Sequence, residues 1–289
     1  MHPALLAGLL LALIVIGLAL LWRWFVRHRS ALVRRIQVGW LHLRRSAALK
    51  WLRHRYPQLW KFTAARFARG EYLGLHLTLG LAISVVGLWL FGAITEDVLN
   101  KDPLTRFDVT VLETLHRHAT PAGTALFIAI SRLGSPLTMT IIALGGVLLL
   151  ARRRDGIVLS GWVAAFAGAL VLDNWLKLVI RRPRPTYAAA LIHDATWSFP
   201  SGHAMGALVG YGMLAYVLVL FAKGDYRTRI AIVATAALTI IAIGVSRLYL
   251  GVHYFSDVMG GYAAGMLWLS ACISGVEVAR RWRVLRPTS

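Results

Sequence analysis

Cysteine is almost missing from this 289-residue chain, and acidic residues are scarce: one Cys and twelve Asp and Glu stand against thirty-two Lys and Arg. A lone Cys272 supports neither an internal disulfide nor a thiolate metal site. Repeats and low-complexity tracts are also absent. Met1-His2-Pro3 carries no basic n-region, and no small-residue cleavage site follows, so the first apolar block does not read as a cleaved leader.

What is abundant is apolar sequence. Hydrophobic residues make up 58% of the chain, and the mean hydropathy is +0.63. They gather in separate blocks of about 20 residues, the length that crosses a hydrocarbon core. Seven such blocks are read at Pro3 to Trp22, Tyr72 to Ile94, Ser135 to Ala151, Gly156 to Lys177, His203 to Phe221, Ile230 to Val245 and Phe255 to Val276. The expected fold is all-α: a polytopic membrane protein with a six-helix core and an additional N-terminal transmembrane helix.

The net charge of +20 does not call for nucleic acid, because it lies in loops flanking the spans, where anionic headgroups attract it. Arg23 to Arg69 holds thirteen Lys and Arg and no acid. By the positive-inside rule this stretch is cytoplasmic, as are Arg152-Arg153-Arg154, the Lys223 to Arg229 loop and the tail with Arg280, Arg281, Arg283 and Arg286. The opposite loops carry Glu96, Asp97, Asp102, Asp108 and Glu113, then all the remaining polar chemistry. Within the basic stretch, Val33, Ile36, Trp40, Leu43, Ala47 and Trp51 recur at helical spacing, which predicts an interfacial amphipathic helix. The domain reading is therefore 1–22 a transmembrane helix, 23–70 a basic interfacial region, 71–278 a catalytic core and 279–289 a basic tail.

Three stretches in the C-terminal half hold that chemistry. Lys177 ends one span, and Arg184-Pro185 follows within Arg181-Arg182-Pro183-Arg184-Pro185, where the prolines forbid regular helix. Asp173, one turn before Lys177, is placed to partner it. Pro200-Ser201-Gly202-His203 precedes a small-residue helix whose first N–H groups point outward and suit an anion. Ser246-Arg247 is followed by His253 and Asp257, four apart, where a carboxylate can hold one imidazole nitrogen as donor and leave the other free to attack phosphorus. Three cations, two histidines and a carboxylate on one side of a membrane are a kit for gripping a phosphate and transferring it to an imidazole.

These segments resemble the type 2 phosphatidic acid phosphatase superfamily, whose pattern K-x6-RP, PSGH and SR-x5-H-x3-D is matched at every defining position between Lys177 and Asp257. The resemblance covers about Glu71 to Val276. It implies hydrolysis of a lipid phosphate or diphosphate without a metal or other cofactor, through a phosphohistidine. It implies His253 as nucleophile, Asp257 as its orienting partner and His203 as the acid that protonates the leaving oxygen and then activates water. Lys177, Arg184, Ser201, Gly202 and Arg247 would bind the phosphate. The expected partners are a lipid phosphate and membrane lipids, in the plasma (inner) membrane with the site facing the extracytoplasmic side. Undecaprenyl diphosphate ranks first as substrate, ahead of phosphatidylglycerophosphate, phosphatidic acid and lipid A phosphates. A lipid phosphotransferase and a vanadium-dependent haloperoxidase, which shares the motifs on a soluble helical fold, are the alternatives.

Overall fold

The structure is a computed structural model that describes residues 51, 54–57, 72–100, 103–185, 196–222 and 226–285. Met1–Leu75 and His76–Ser289 form two compact units, and the three motifs lie in the second. The span read at Pro3 to Trp22 lies outside the described residues, and so does the interfacial helix, Trp51 aside.

The described core is all-α: α1 (Tyr72–Asn100), α2 (Pro103–Arg117), α3 (Pro121–Arg132), α4 (Pro136–Arg152), α5 (Gly156–Ile180), α6 (Gly202–Phe221), α7 (Tyr226–Tyr249) and α8 (Phe255–Leu285). Among the described residues six segments are long and apolar enough to cross a bilayer, and α3 with α4 counts as one of them, Pro121–Arg152. The helix starts follow ordinary capping chemistry. Thr120 accepts from Gly123 N–H and Ser135 from Thr138 N–H, each with proline in the next position, and Asp155 accepts from Val158 N–H. Arg181 ends α5 in the left-handed region at φ 50°, its N–H returning to Lys177 O.

Two elements differ from the sequence reading. The acidic stretch before the second core span is not a plain loop but holds α2 and α3. The last span runs beyond Val276 to Leu285.

In lipid there is little hydrophobic drive to bring helices together, so close packing of small residues does that work. α6 lies in the middle, against α4, α5, α7 and α8. Met205, Val209, Met213 and Val217 of α6 meet Trp162 and Ala165 of α5 and Ala264 and Val276 of α8 in the main cluster. Trp162 lies against Gly146 and donates from Nε1 to Ala143 O at 2.9 Å. The closest approach of a glycine to another segment's backbone, among the described residues, is at Gly261 of α8, where a Cβ would stand 2.6 Å from Ser201 O. That contact puts the start of α6 directly against the first turns of α8, which is where the polar residues of the last two motifs meet. Outward-facing Leu81, Trp89, Leu137, Leu170 and Val171 remain exposed, as a lipid-facing surface requires.

Candidate active site

A cavity of about 280 Å³ opens between α4, α5 and α6. Lys177, Arg184, Gly202, His203 and His253 are on its wall, together with Asp173 and Thr196 at the same polar end. Residues from all three motifs thus share one cavity. Ser201, Arg247 and Asp257, the other candidates, are buried and lie behind that wall.

α5 delivers Lys177 on its last turn, and its Nζ donates to Asp173 Oδ2 at 2.7 Å, the pairing expected from their spacing. Beyond α5 the prolines hold the chain out of helix, and Arg184 crosses to the loop before α8. Its Nε donates to Thr196 O at 2.8 Å, Nη2 to Thr196 Oγ1 at 2.9 Å and Nη1 to Val252 O at 3.1 Å. Nη1 also lies 3.4 Å from His253 Nε2. A guanidinium only donates, so this long contact suits a neutral ring with its lone pair on Nε2 and its proton on Nδ1.

Ser201 is the N-cap of α6, yet its side chain makes no capping bond, and its buried Oγ has no hydrogen-bond partner among the described residues. The N–H of Ser201 is taken by Asp257 O at 2.9 Å. The N–H groups of the first turn beyond it have no helical carbonyl to reach. A Cβ on Gly202 would stand 2.7 Å from Asp173 Oδ2 and 2.9 Å from Lys177 Nζ, so only glycine lets this helix end come so near the lysine.

His253 does not share a helix with Asp257, which lies in the first turn of α8. The histidine lies in the short loop between α7 and α8, just past Gly251, whose φ of 67° suits glycine. Its Nδ1 is 3.5 Å from Asp257 Oδ2 and 3.4 Å from Ser198 Oγ, both longer than a good hydrogen bond. Ser198 Oγ itself donates to Asp257 Oδ2, and Tyr254 N–H donates to the same oxygen at 2.8 Å. Burial drives the pKa of His253 down to about 4, with Arg247 and Arg184 adding to the fall and Asp257 opposing it.

Arg247 lies on the last turn of α7, 2% exposed, and its Nη1 donates to Ser131 Oγ of α3 at 2.7 Å. Arg181 turns back on its own helix, Nε to Leu178 O at 2.8 Å.

Several site-forming residues escaped the sequence reading. Arg182 Nη1 donates to Asp257 Oδ1 at 2.6 Å and Nη2 to Asp108 Oδ2 at 2.8 Å. Burial alone would lower the guanidinium's pKa, but the two carboxylates outweigh it and raise it. Asp108, Ser198, Ser131 and Ser256 are likewise buried around the histidine's supports. Among the described residues no three His, Cys, Asp or Glu side chains gather as a metal-holding group.

The other end of the cavity is apolar, walled by Met139, Phe166, Leu170 and Val209. Charge at one end and hydrocarbon at the other fit an amphiphile whose phosphate lies under Arg184 and His253.

Known proteins resemble this chain over the region that holds the cavity. Residues 156–281 match the sequence profile of the PAP2 superfamily. The chain is 29% identical over 201 residues to phosphatidylglycerophosphatase B of Bacillus subtilis (strain 168), covering 68% of this chain and 97% of that protein. It is 35% identical to a lipid A 1-phosphatase of Rhizobium johnstonii, but over only 42% of this chain and 50% of that one. The crystal structure of the transmembrane PAP2-type phosphatidylglycerolphosphate phosphatase from Bacillus subtilis superposes with a TM-score of 0.58 at 27% identity, covering 71% of this chain and 98% of that one.

Proposed function

From membership of the PAP2 superfamily, to which residues 156–281 belong, and from its character as a multi-pass membrane protein and lipid phosphatase, we propose that this protein hydrolyses its lipid phosphate through a phosphohistidine on the extracytoplasmic leaflet. The observation that carries this is the two-ended cavity: Lys177, Arg184, His203 and His253 at one end and Met139, Phe166 and Leu170 at the other.

In this reading His253 Nε2, which faces Arg184, attacks phosphorus with its lone pair. The P–O bond to the lipid breaks, and protonated His203 gives its proton to the departing oxygen. Water then attacks phosphorus as His203 takes a proton from it; a P–O bond forms, the N–P bond breaks and its electron pair returns to Nε2 with release of phosphate. Lys177, Arg184, Arg247, Ser201 and the Gly202 amide neutralise the phosphate in both steps. Asp257 holds Nδ1–H.

Sidedness follows from basic residues. Arg153 and Arg283 flank span ends on the side opposite the site, and the positive-inside rule makes that side cytoplasmic. For the substrate, undecaprenyl diphosphate, ranked first from the sequence, now stands beside the phosphatidylglycerophosphate and lipid A 1-phosphate named for the two relatives. Phosphatidylglycerophosphate moves to the front, because nearly the whole length of its phosphatase is covered.

The test is phosphate release from these lipids by purified protein in excess EDTA, with acid-labile, alkali-stable label trapped from a 32P-substrate. Turnover and label in the parent, with both gone in a folded His253→Ala, are expected. Turnover that stops with EDTA and returns with a divalent ion, or label that survives His253→Ala, would overturn the mechanism.

A further inference from the structure

We propose that Arg182 and Asp108 are positioning residues, a clamp between α2 and α8 that orients Asp257 and through it the ring of His253. The inference rests on the reading of His253 as nucleophile and adds two residues to it.

Arg182 is not on the cavity wall, although Arg184, two residues on, is. Its guanidinium instead turns into the protein and is shared. Nη1 reaches Asp257 Oδ1 at 2.6 Å and Ser256 Oγ at 2.7 Å, Nη2 reaches Asp108 Oδ2 at 2.8 Å, and the plane lies 4.2 Å over the Tyr254 ring. Both carboxylates are fully buried and the guanidinium is 11% exposed. Two such acids need a cation with two donor faces, and arginine's planar fork supplies them where lysine's point charge does not.

The clamp divides the two oxygens of Asp257. Oδ1 belongs to Arg182, so Oδ2 is left to Ser198 Oγ, Tyr254 N–H and His253 Nδ1. With its oxygens committed to different partners, the carboxylate cannot rotate, and the imidazole facing Oδ2 keeps its proton on Nδ1. Asp108 fixes the other end. Its Oδ1 accepts from Ser256 N–H at 2.8 Å, tying α2 to the first turn of α8, two residues beyond the loop that carries His253. The groups of other elements that face the ring are Arg184, Arg247 and His203, and all of these attend the phosphate side. Arg182 and Asp108 act from behind.

A clamp of this kind leaves its mark on the chemical step and not on substrate binding. The full-length protein is purified as parent, Arg182→Gln, Arg182→Lys and Asp108→Asn, with Arg182→Gln also made in an Asp257→Asn background. KM for dioctanoyl phosphatidic acid and the single-turnover rate of phosphoenzyme formation are measured on each. Arg182→Gln is expected to slow phosphoenzyme formation about a hundredfold with KM little changed, Asp108→Asn about tenfold, and Arg182→Lys to recover part of the loss. In the Asp257→Asn background Arg182→Gln costs little more, since the residue it acts through is already gone. If Arg182→Gln does not fold, Arg182→Lys and Asp108→Asn carry the same split. A raised KM with unchanged phosphoenzyme rate, or the full loss repeated in the Asp257→Asn background, overturns the clamp alone. A parent that turns over without forming phosphoenzyme overturns the nucleophile and the clamp with it.

Discussion

Nη1 of Arg184 lies 3.4 Å from Nε2 of His253, while the other ring nitrogen is 3.5 Å from Asp257 Oδ2. The imidazole is therefore addressed by a cation on its cavity side and an anion on its buried side. That polarity keeps the lone pair where phosphate would stand, and it gives the two histidines of the cavity different tasks.

His203 is expected to matter only when the leaving oxygen is basic. General acid assistance is worth about 10²- to 10⁴-fold on an alkoxide and little on a good leaving group. His203→Ala should lose activity in that range on a lipid phosphate and far less on an aryl phosphate such as p-nitrophenyl phosphate. Equal losses on both substrates would remove His203 from the acid role.

The charge state of His253 gives a second expectation. Its pKa falls from 6.5 to about 4, chiefly through burial. The unfolded ring takes its proton near 6.5, and the folded ring refuses it until about 4. The stability contributed by the neutral ring is thus present above pH 6.5 and lost as pH falls from 6.5 toward 4. Histidine 15N spectra of the solubilised protein, assigned with His253→Gln, should show a neutral ring at pH 5.5, and thermal unfolding should fall in temperature across that window. A ring titrating near 6.5 would contradict the burial.

The packing that brings the last two motifs together can be probed at Gly261. A Cβ there would meet Ser201 O at 2.6 Å and Ala204 Cβ at 3.2 Å. Neither is a flexible side-chain end, so α8 must move away from α6. Gly261→Ala should cost about 1–3 kcal/mol, the usual cost of overpacking, and should lower turnover because Ser201 shifts with the helix start. Gly275, with nothing near its missing Cβ, is the control, and Gly275→Ala should leave unfolding temperature and turnover near those of the parent.

Much of this site was legible because its motifs are contiguous and chemical in themselves, and the six core spans were legible as apolar blocks. α3 was missed because twelve residues are too few to cross a bilayer; it becomes part of a span only through the turn at Leu133-Gly134-Ser135 into α4. Asp108 left a signal that went unread. It stands in the stripe Leu104, Asp108, Val111, Leu112 and Leu115, an acid where the helical period calls for an apolar residue. Arg182 left none. In Arg181-Arg182-Pro183-Arg184-Pro185 nothing local says which guanidinium meets phosphate, which meets carboxylates and which returns to its own helix. That choice is made by where α2 and α8 lie.

Sidedness remains as the expectation with the widest consequence. The span ends bearing Lys177 and His203 and the loop bearing His253 alternate along the chain with the loop bearing Arg153 and the Arg280 to Arg283 end of α8, and the spans between them return the chain to the site's side each time. Basic residues are retained in the cytoplasm during insertion, so Arg153 and Arg283 are expected inside and the site outside. In a Cys272→Ser background the chain has no other thiol. An impermeant maleimide applied to intact cells or spheroplasts should label a single cysteine in place of Asp194, between the first two motifs, and should reach one in place of Arg283 only after permeabilisation. Labelling of the Arg283 position in intact cells would invert the topology. The phosphate taken would then come from the cytoplasmic leaflet, and a role in trimming or recycling lipids on the outer leaflet would be lost, while the chemistry assigned to His253 and His203 would stand unchanged.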